Sequence, residues 1–293
     1  MRAPVMGFRE LLEKVQWEFP KILELFSMKL LYLDVLTGKG LEFEKLREYT
    51  MQDDAARIDW NATARTQKTF LKVYSEERKL DIIFVVDVSN SMQYGTTKYT
   101  KSEFASVFAG ILAYAAIQAG DRVGLVMFSD KIKAFVAPSM KEEDYYIIIK
   151  ALTNPKNYGG KKNWDSVSKR VVEALSEHSV VFLISDFIGY NKKIHDYAVM
   201  MGSKFDRVFG IMLRDPTDSV LPEGVGPIYL SDPNTGEVRL IDVDDVRDEY
   251  NRRTMEHEEM VEKFFGGSEL SFFKVHTNQE FIDAFAKYTE QMK

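Results

Sequence analysis

The chain has 293 residues, of which 45% are hydrophobic and 29% are charged, and its formal net charge is -6. This composition is typical of a globular protein that is long enough for a substantial core, in one large domain or one and a half. The acidic balance argues against an electrostatic nucleic-acid interface. The lack of cysteine excludes disulfides, thiolate zinc sites and a cysteine nucleophile.

The sequence also bears on cellular location. Charged residues interrupt the first apolar stretch, so no secretory signal is recognised at the start of the chain. The longest apolar run, residues 107–117, is shorter than the roughly 20 residues that a membrane span requires. We therefore expect a cytoplasmic protein with no membrane span and no nucleic-acid partner.

Apolar residues recur at helical spacing between residues 8 and 36 and predict an amphipathic segment. Pro20 is expected to break this segment into two helices. Their apolar stripe could dock on the rest of the chain or on a partner. Strands are predicted at residues 41–50 and 69–74, so residues 1–78 are interpreted as a helical and β-rich region that precedes a larger domain at residues 79–293.

A short span between these two strands concentrates charged residues around a tryptophan. Arginine pairs readily with carboxylates, and an indole ring can anchor a loop in a core. The span is therefore interpreted as an internally paired structural turn, with a role in interaction as the alternative. Its members are Asp53, Asp54, Arg57, Asp59, Trp60 and Arg65.

Residues 82–86 form a purely apolar run, which predicts a central strand buried on both faces. Asp87, Ser89 and Ser91 follow directly. In open α/β sheets, ligands bind in the crevice outside the carboxyl ends of the strands. One carboxylate and two hydroxyls are hard oxygen donors that suit Mg²⁺ or Mn²⁺. The alternative interpretation is a polar turn in which Asp87 caps the next helix.

The rest of the chain alternates strand and helix patterns, which predicts a doubly wound, mostly parallel sheet with helices on both faces. Strands are predicted at residues 122–128, 132–136, 180–184, 208–213 and 270–275, and helices at 101–119, 142–152, 164–176, 192–201 and 243–265. The first two of these strands are so close in sequence that we expect a hairpin at a sheet edge. An inserted β-hairpin is predicted within residues 214–242.

The strand at residues 180–184 ends as the first one does, in a hydroxyl and a carboxylate, Ser185 and Asp186. Neighbouring parallel strands would bring Asp87 and Asp186 into one crevice, which strengthens the prediction of a shared polar site. The glycines of the loop at residues 154–163 would let its backbone approach that site closely.

Common catalytic signatures are absent from the sequence. The four histidines have no spacing that implies a dyad or triad. Lys162 replaces the Ser or Thr of a phosphate-binding loop, and Val261 stands where a metalloprotease helix needs its second histidine. Neither a nucleophile elbow nor a dinucleotide fingerprint occurs. No catalytic residue is therefore predicted.

Asp87, Ser89 and Ser91 after a buried strand, the apolar helix that follows, and Ser185 with Asp186 resemble the metal-ion-dependent adhesion site of von Willebrand factor A domains. The wider sequence is similar to a bacterial and archaeal family called domain of unknown function number 58. This resemblance spans about residue 30 to the C terminus. It is carried by residues 44–49, 53–54, 57–60, 64–65, 215–216, 221–222 and 232–236.

The resemblance implies a von Willebrand factor A-like sheet with Mg²⁺ or Mn²⁺ at its top and a non-enzymatic role in protein interaction. Members are typically encoded beside MoxR-type AAA+ ATPases, which implies an adaptor or co-chaperone of such an ATPase. By position, Ser89 and Ser91 would ligate the ion directly, and Asp87 and Asp186 directly or through water. An Asp or Glu of a partner protein would complete the coordination. The residues also leave open a metal-assisted hydrolase in the same crevice, with Asp59 or Asp186 as the base.

The chain departs from the adhesion-site pattern in the loop after Gly159-Gly160, where the usual threonine ligand is missing. Lys161, Lys162 and Asn163 stand near that place. In one interpretation a lysine ammonium takes part of the electrostatic role of the cation and repels Mg²⁺. In the other, both lysines point to solvent and leave a weaker site of three or four oxygens.

Overall fold

A computed structural model of the chain describes residues 6–26, 45–48, 69–73, 79–232, 234–266 and 270–280. The strands are β1 (Lys45–Glu48), β2 (Phe70–Val73), β3 (Asp81–Asp87), β4 (Arg122–Phe128), β5 (Ile132–Ser139), β6 (Ser179–Ser185), β7 (Arg207–Arg214), β8 (Pro227–Ser231), β9 (Val238–Asp242) and β10 (Ser271–His276). The helices are α1 (Phe8–Phe26), α2 (Lys101–Gln118), α3 (Glu142–Leu152), α4 (Trp164–Ala174), α5 (Lys192–Lys204), α6 (Pro216–Ser219) and α7 (Val243–Gly266). Short 3₁₀ turns lie at Asn90–Gln93 and Pro155–Asn157.

The central sheet has six strands in the order β10, β7, β6, β3, β4, β5. All neighbours run parallel except β5, which is antiparallel to β4 at one edge. The chain is therefore an α/β protein with a mostly parallel sheet flanked by helices, as its sequence predicts. The antiparallel position of β5 confirms the hairpin expected at a sheet edge.

Strands β3 and β6 lie at the centre of the sheet, and every residue of both is buried. The rings of Phe84 and Phe182 stack with centroids 5.3 Å apart, and Phe182 stacks on Phe209 of β7 at 4.9 Å. One apolar core joins the sheet to α1, α2 and α3, and a second joins it to α4, α5 and α7. Burial on both faces explains why β3 and β6 are apolar runs with no polar alternation.

Helix α2 begins at a capping box. The Thr100 side chain accepts a hydrogen bond from the Glu103 N–H, and the Glu103 carboxylate accepts one from the Thr100 N–H. All of residues 101–113 are buried, so the helix lies directly against the sheet. None of the helices within the described ranges, α2 included, is long and apolar enough to cross a membrane.

Helix α1 continues through Pro20, so the predicted break into two helices is wrong. A proline inside a helix removes one hydrogen bond, here the one to the carbonyl of Gln16. Gln16 lies on the exposed side of the helix, where water can satisfy that carbonyl. Leu11 and Val15 are buried in the core shared with α2, so the apolar stripe docks internally at these two positions.

The peripheral strands form two small antiparallel pairs, β1 with β2 and β8 with β9. The first pair lies within the strands predicted at residues 41–50 and 69–74, and the second is the predicted inserted hairpin. The division of the chain at residue 78 stays a prediction. The charged span around the tryptophan lies outside the described residues, and this applies to Asp53, Asp54, Arg57, Asp59, Trp60 and Arg65.

Candidate functional site

Two neighbouring parallel strands end side by side in a polar cluster. Strand β3 ends in Asp87 and strand β6 in Ser185, with Asp186 next along the chain. All three residues are fully buried. The Ser185 hydroxyl donates to Asp87 Oδ2 at 2.6 Å, which joins the two strand ends directly. The structure thus brings together the two carboxylates that the sequence places at equivalent strand ends.

The ammonium of Lys162 lies between the two aspartates. Its Nζ is 2.7 Å from Asp87 Oδ2 and also contacts Asp186 Oδ1. A third contact, at 3.3 Å, goes to the hydroxyl oxygen of Ser185. A lysine ammonium has three hydrogens, and these three oxygens can accept all of them. The ring of Trp164 flanks the group, with its centroid 5.6 Å from Nζ.

Opposite charges keep Lys162 and Asp186 ionised. Burial works against the charged form of Lys162, but the negative charges of Asp186 and Asp87 raise its pKa above the ordinary lysine value. Burial likewise works against an ionised Asp186, but the positive charges of Lys162 and Lys101 hold its pKa well below the usual range. The cluster therefore contains fixed charges of both signs at neutral pH.

The sequence alone does not predict a second buried lysine, Lys101, which is only 1% exposed. Its Nζ lies 3.2 Å from Asp186 Oδ2 and 2.6 Å from Asp218 Oδ2. The Tyr94 ring lies nearby, with its centroid 6.0 Å from Nζ. A cation at the first position of a helix is disfavoured by the helix dipole. A lysine directly after a capping box and before an apolar helix is the signal that could have identified it.

The two predicted serine ligands adjoin the cluster from the turn after β3. The Ser89 N–H donates to Asp87 Oδ1 at 2.9 Å, and the hydroxyl oxygens of Ser89 and Ser91 are 3.2 Å apart. The Ser91 side chain also hydrogen-bonds Asp186 and helps to keep it ionised. All four residues predicted as metal ligands are therefore neighbours in space.

The glycine loop before α4 lies directly on these strand ends. The Asn90 N–H donates to the Gly160 carbonyl at 3.0 Å. Gly160 has φ of 97°, and a Cβ atom added to it would lie 2.7 Å from Asp130 Oδ1. Only glycine suits this position, because other residues rarely adopt that φ and their Cβ would meet Asp130. The close backbone approach places Lys162 over Asp87.

The two neighbours of Lys162 make contacts elsewhere. Lys161 is exposed, and the Asn163 N–H donates to the Ser129 carbonyl at 2.8 Å, which fixes the loop to the end of β4. In the hairpin turn, a hydrogen bond from the Asn234 N–H lowers the pKa of Asp232, and the charge of Lys161 adds a smaller contribution. Of the two lysines in the loop, Lys162 is therefore the one that reaches the cluster.

A divalent cation does not fit the side chains as they lie. Asp87 Oδ2 and Asp186 Oδ1 both bind the Lys162 ammonium, and Asp186 Oδ2 binds Lys101. An ion placed between the carboxylates would meet like charge at contact distance. No group of three or more His, Asp or Glu side chains is arranged for a metal within the part of the chain that the structure describes. Mg²⁺ or Mn²⁺ stays a prediction, and the geometry favours the interpretation with a lysine.

A serine, a histidine and a glutamate also meet, at the far end of α6. Ser219 Oγ is 3.1 Å from His276 Nε2, but it donates to Glu258 Oε1 at 2.7 Å. Lys274 and Arg214 hold the same glutamate at 2.6 and 3.2 Å. In a serine hydrolase the histidine takes the serine proton and the acid orients the histidine. Here the acid binds the serine itself, so these side chains do not form a proton relay.

Comparisons with known proteins place the chain among uncharacterized relatives. The family model described as Protein of unknown function DUF58 matches residues 45–260. The uncharacterized proteins Mb1516 of Mycobacterium bovis and Rv1480 of Mycobacterium tuberculosis are each 25% identical over 257 residues, which cover 86% of this chain and 79% of theirs. The matched residues 45–260 include the charged residues that meet at the strand ends, namely Asp87, Lys101, Lys162, Asp186 and Asp218.

Two solved structures are similar to the chain at low identity. The conserved hypothetical protein BatB from Bacteroides thetaiotaomicron aligns with a TM-score of 0.48 and 13% identity, over 73% of this chain and 98% of that one. An aerotolerance-related membrane protein from Bacteroides fragilis aligns with a TM-score of 0.46 and 13% identity, over 72% and 97%.

Proposed function

The chain belongs to the family of proteins of unknown function DUF58, and we propose that it is a non-enzymatic protein-interaction module built on a von Willebrand factor A-like sheet. The proposed binding surface is the carboxyl edge of that sheet, around Asp87 and Asp186. The proposed partner is a MoxR-type AAA+ ATPase in the cytoplasm, for which the chain acts as an adaptor or co-chaperone.

One observation supports binding over catalysis: the charged groups at the sheet edge are bonded to one another. Asp87 and Asp186 accept hydrogen bonds from Lys162, and Lys101 bridges Asp186 to Asp218. A general base needs a lone pair aimed at its substrate, and a nucleophile needs such a base beside it. Contacts with buried ammonium groups make the surface rigid, and Asp186 is a poor proton acceptor, because the positive charges of Lys162 and Lys101 lower its pKa.

Exposed apolar side chains border this rigid cluster. Tyr94 is 46% exposed, and its hydroxyl lies 2.9 Å from Thr217 Oγ1. Ile188 is 45% exposed, and its N–H donates to Asp186 Oδ1 at 3.0 Å. Both are held in place by contacts to the cluster or to α6. Preorganised aromatic and aliphatic groups with a polar surround are the usual centres of binding energy in protein interfaces.

Direct binding to a MoxR-type ATPase from the same genome tests the proposal. The assay is biolayer interferometry with ATP and with ADP, and we expect the parent chain to bind. Ile188→Asp should raise the Kd by a factor of about ten or more, which corresponds to a loss of roughly 1.4 kcal/mol in binding free energy. Ile147→Asp, which makes the same change at a similarly exposed isoleucine on α3, is the matched control and should bind like the parent. Equal affinity of parent and Ile188→Asp would contradict the proposed surface.

Activity assays of the parent and of Asp186→Asn test the alternative of a metal-assisted hydrolase. Under this proposal the parent does not turn over generic phosphoester or peptide substrates, with or without Mg²⁺ or Mn²⁺. Metal-dependent turnover that disappears in a folded Asp186→Asn variant would favour the hydrolase and contradict a purely binding role.

A further inference from the structure

We infer that the chain carries its own cation: the ammonium of Lys162 takes the place of a divalent metal between Asp87 and Asp186, and Lys101 completes the charge balance. The site is therefore assembled without metal. The built-in cation deepens the proposed function. It rests on that function only for the claim that a partner binds at this edge of the sheet. The occupancy of the site itself can be tested on the chain alone.

The hydrogen bonding around the two carboxylates supports this inference. Asp87 Oδ1 accepts from the Ser89 N–H, and Asp87 Oδ2 accepts from Ser185 and Lys162. Asp186 Oδ1 accepts from Lys162 and from the Ile188 N–H. Its Oδ2 accepts from Lys101 at 3.2 Å. Every carboxylate oxygen of this pair thus has a donor supplied by the chain, so folding the site leaves no uncompensated buried charge.

The charges of the buried pair balance. Lys162 and Lys101 together carry two positive charges, which is the charge of one Mg²⁺, and they face the two negative charges of Asp87 and Asp186. Lys101 also contacts Asp218, whose side chain is 13% exposed. A threonine in the loop would supply one neutral ligand to an ion, whereas a lysine supplies the cation itself on a covalent tether. The Gly159-Gly160 loop that would deliver the threonine here delivers the ammonium.

This arrangement changes how a partner can be recognised. A metal with an open coordination position can accept a carboxylate from a partner, as the family resemblance implies. The Lys162 ammonium has three acceptors within the chain, so it has no hydrogen left for such a group. Its side chain is also only 9% exposed. Partner binding at this edge should therefore require neither a divalent ion nor an acidic residue, and it should use the exposed side chains around the cluster.

Metal titration of the purified chain tests the inference. Calorimetry and Mn²⁺ electron paramagnetic resonance should detect no binding to the parent at millimolar MnCl₂ or MgCl₂, and EDTA should not change its melting temperature. Lys162→Thr should bind Mn²⁺ at least tenfold more tightly than the detection limit that the parent sets, and adding Lys101→Met should tighten this binding further. Asp87→Asn in the Lys162→Thr background should abolish the gain. Lys161→Thr, at the exposed neighbouring position, is the matched control and should behave like the parent.

Two results would overturn the inference. The first is binding of Mg²⁺ or Mn²⁺ by the parent that Asp87→Asn in the parent background abolishes, and this result remains decisive if Lys162→Thr does not fold. The second is a folded Lys162→Thr protein with no gain in metal affinity, alone or combined with Lys101→Met. Repeating the ATPase binding assay in EDTA separates the two proposals. Binding to the nucleotide-free ATPase that occurs with Mg²⁺ but is abolished by EDTA contradicts the built-in cation alone, and a lack of binding both with Mg²⁺ and with EDTA contradicts the proposed partner alone.

Discussion

Replacing Lys101 with methionine would remove a buried positive charge while keeping an unbranched side chain in the core. Lys101 Nζ contacts Asp186 at 3.2 Å and Asp218 at 2.6 Å. Removing one partner of a buried ion pair typically costs about 3–5 kcal/mol, because the other charge stays buried without compensation. Asp186 would retain Lys162, and the Asp218 side chain is 13% exposed. We therefore expect a loss near the lower end, about 3 kcal/mol.

Urea denaturation followed by circular dichroism would measure this loss as a change in the free energy of unfolding. The double variant Lys101→Met with Asp218→Asn should recover about 1 kcal/mol or more, since the uncompensated carboxylate is then absent. Lys161→Met is the control for an exposed lysine and should change stability by less than about 0.5 kcal/mol. A Lys101→Met protein within about 0.5 kcal/mol of the parent would refute the view that this lysine is part of the buried charge balance.

Two further predictions concern the loop and the pH dependence of stability. Gly160→Ala should cost about 1–3 kcal/mol in urea denaturation, because φ is 97° and the new Cβ would meet Asp130. Gly189→Ala is the control, because Gly189 has a similar φ of 79° but no atom lies within 4 Å of an added Cβ. If Gly189→Ala lost as much stability as Gly160→Ala, the contact with Asp130 would not contribute. Burial and a nearby arginine lower the pKa of His257, so the native state binds its proton less well than the unfolded state does. Stability should therefore fall as pH decreases through the ordinary value of 6.5, and His257→Gln, which keeps a donor for the Phe187 carbonyl, should reduce that slope. An unchanged slope would contradict this prediction.

The parts of the fold that depend on local patterns could be predicted from the sequence. Burial of β3 and β6 on both faces requires purely apolar runs, and these runs are visible without any tertiary information. The start of α2 can also be predicted locally, because the two members of its capping box, Thr100 and Glu103, are only three residues apart. Pro20 was misleading, because a proline weakens a helix locally but packing of the rest of the helix can retain it.

The charge cluster depends on contacts between residues distant in sequence, so only part of it could be predicted. The sequence predicts that the carboxylates of Asp87 and Asp186 meet, because parallel strands place their ends at one edge of the sheet. Lys101 and Asp218 are 117 residues apart, and no local pattern joins them. The choice between Lys161 and Lys162 depends on the direction of each side chain in a glycine loop, which the backbone sets only after the loop docks on the strand ends.

Anomalous diffraction from crystals soaked in MnCl₂ would test the built-in cation most directly. We expect no manganese peak between Asp87 and Asp186, and continuous density for the Lys162 side chain with Nζ in contact with both carboxylates. Crystals of Lys162→Thr, soaked in the same way, should show a manganese peak at that position. A manganese peak between Asp87 and Asp186 in the parent crystals, with the Lys162 side chain displaced from the cluster, would contradict the account.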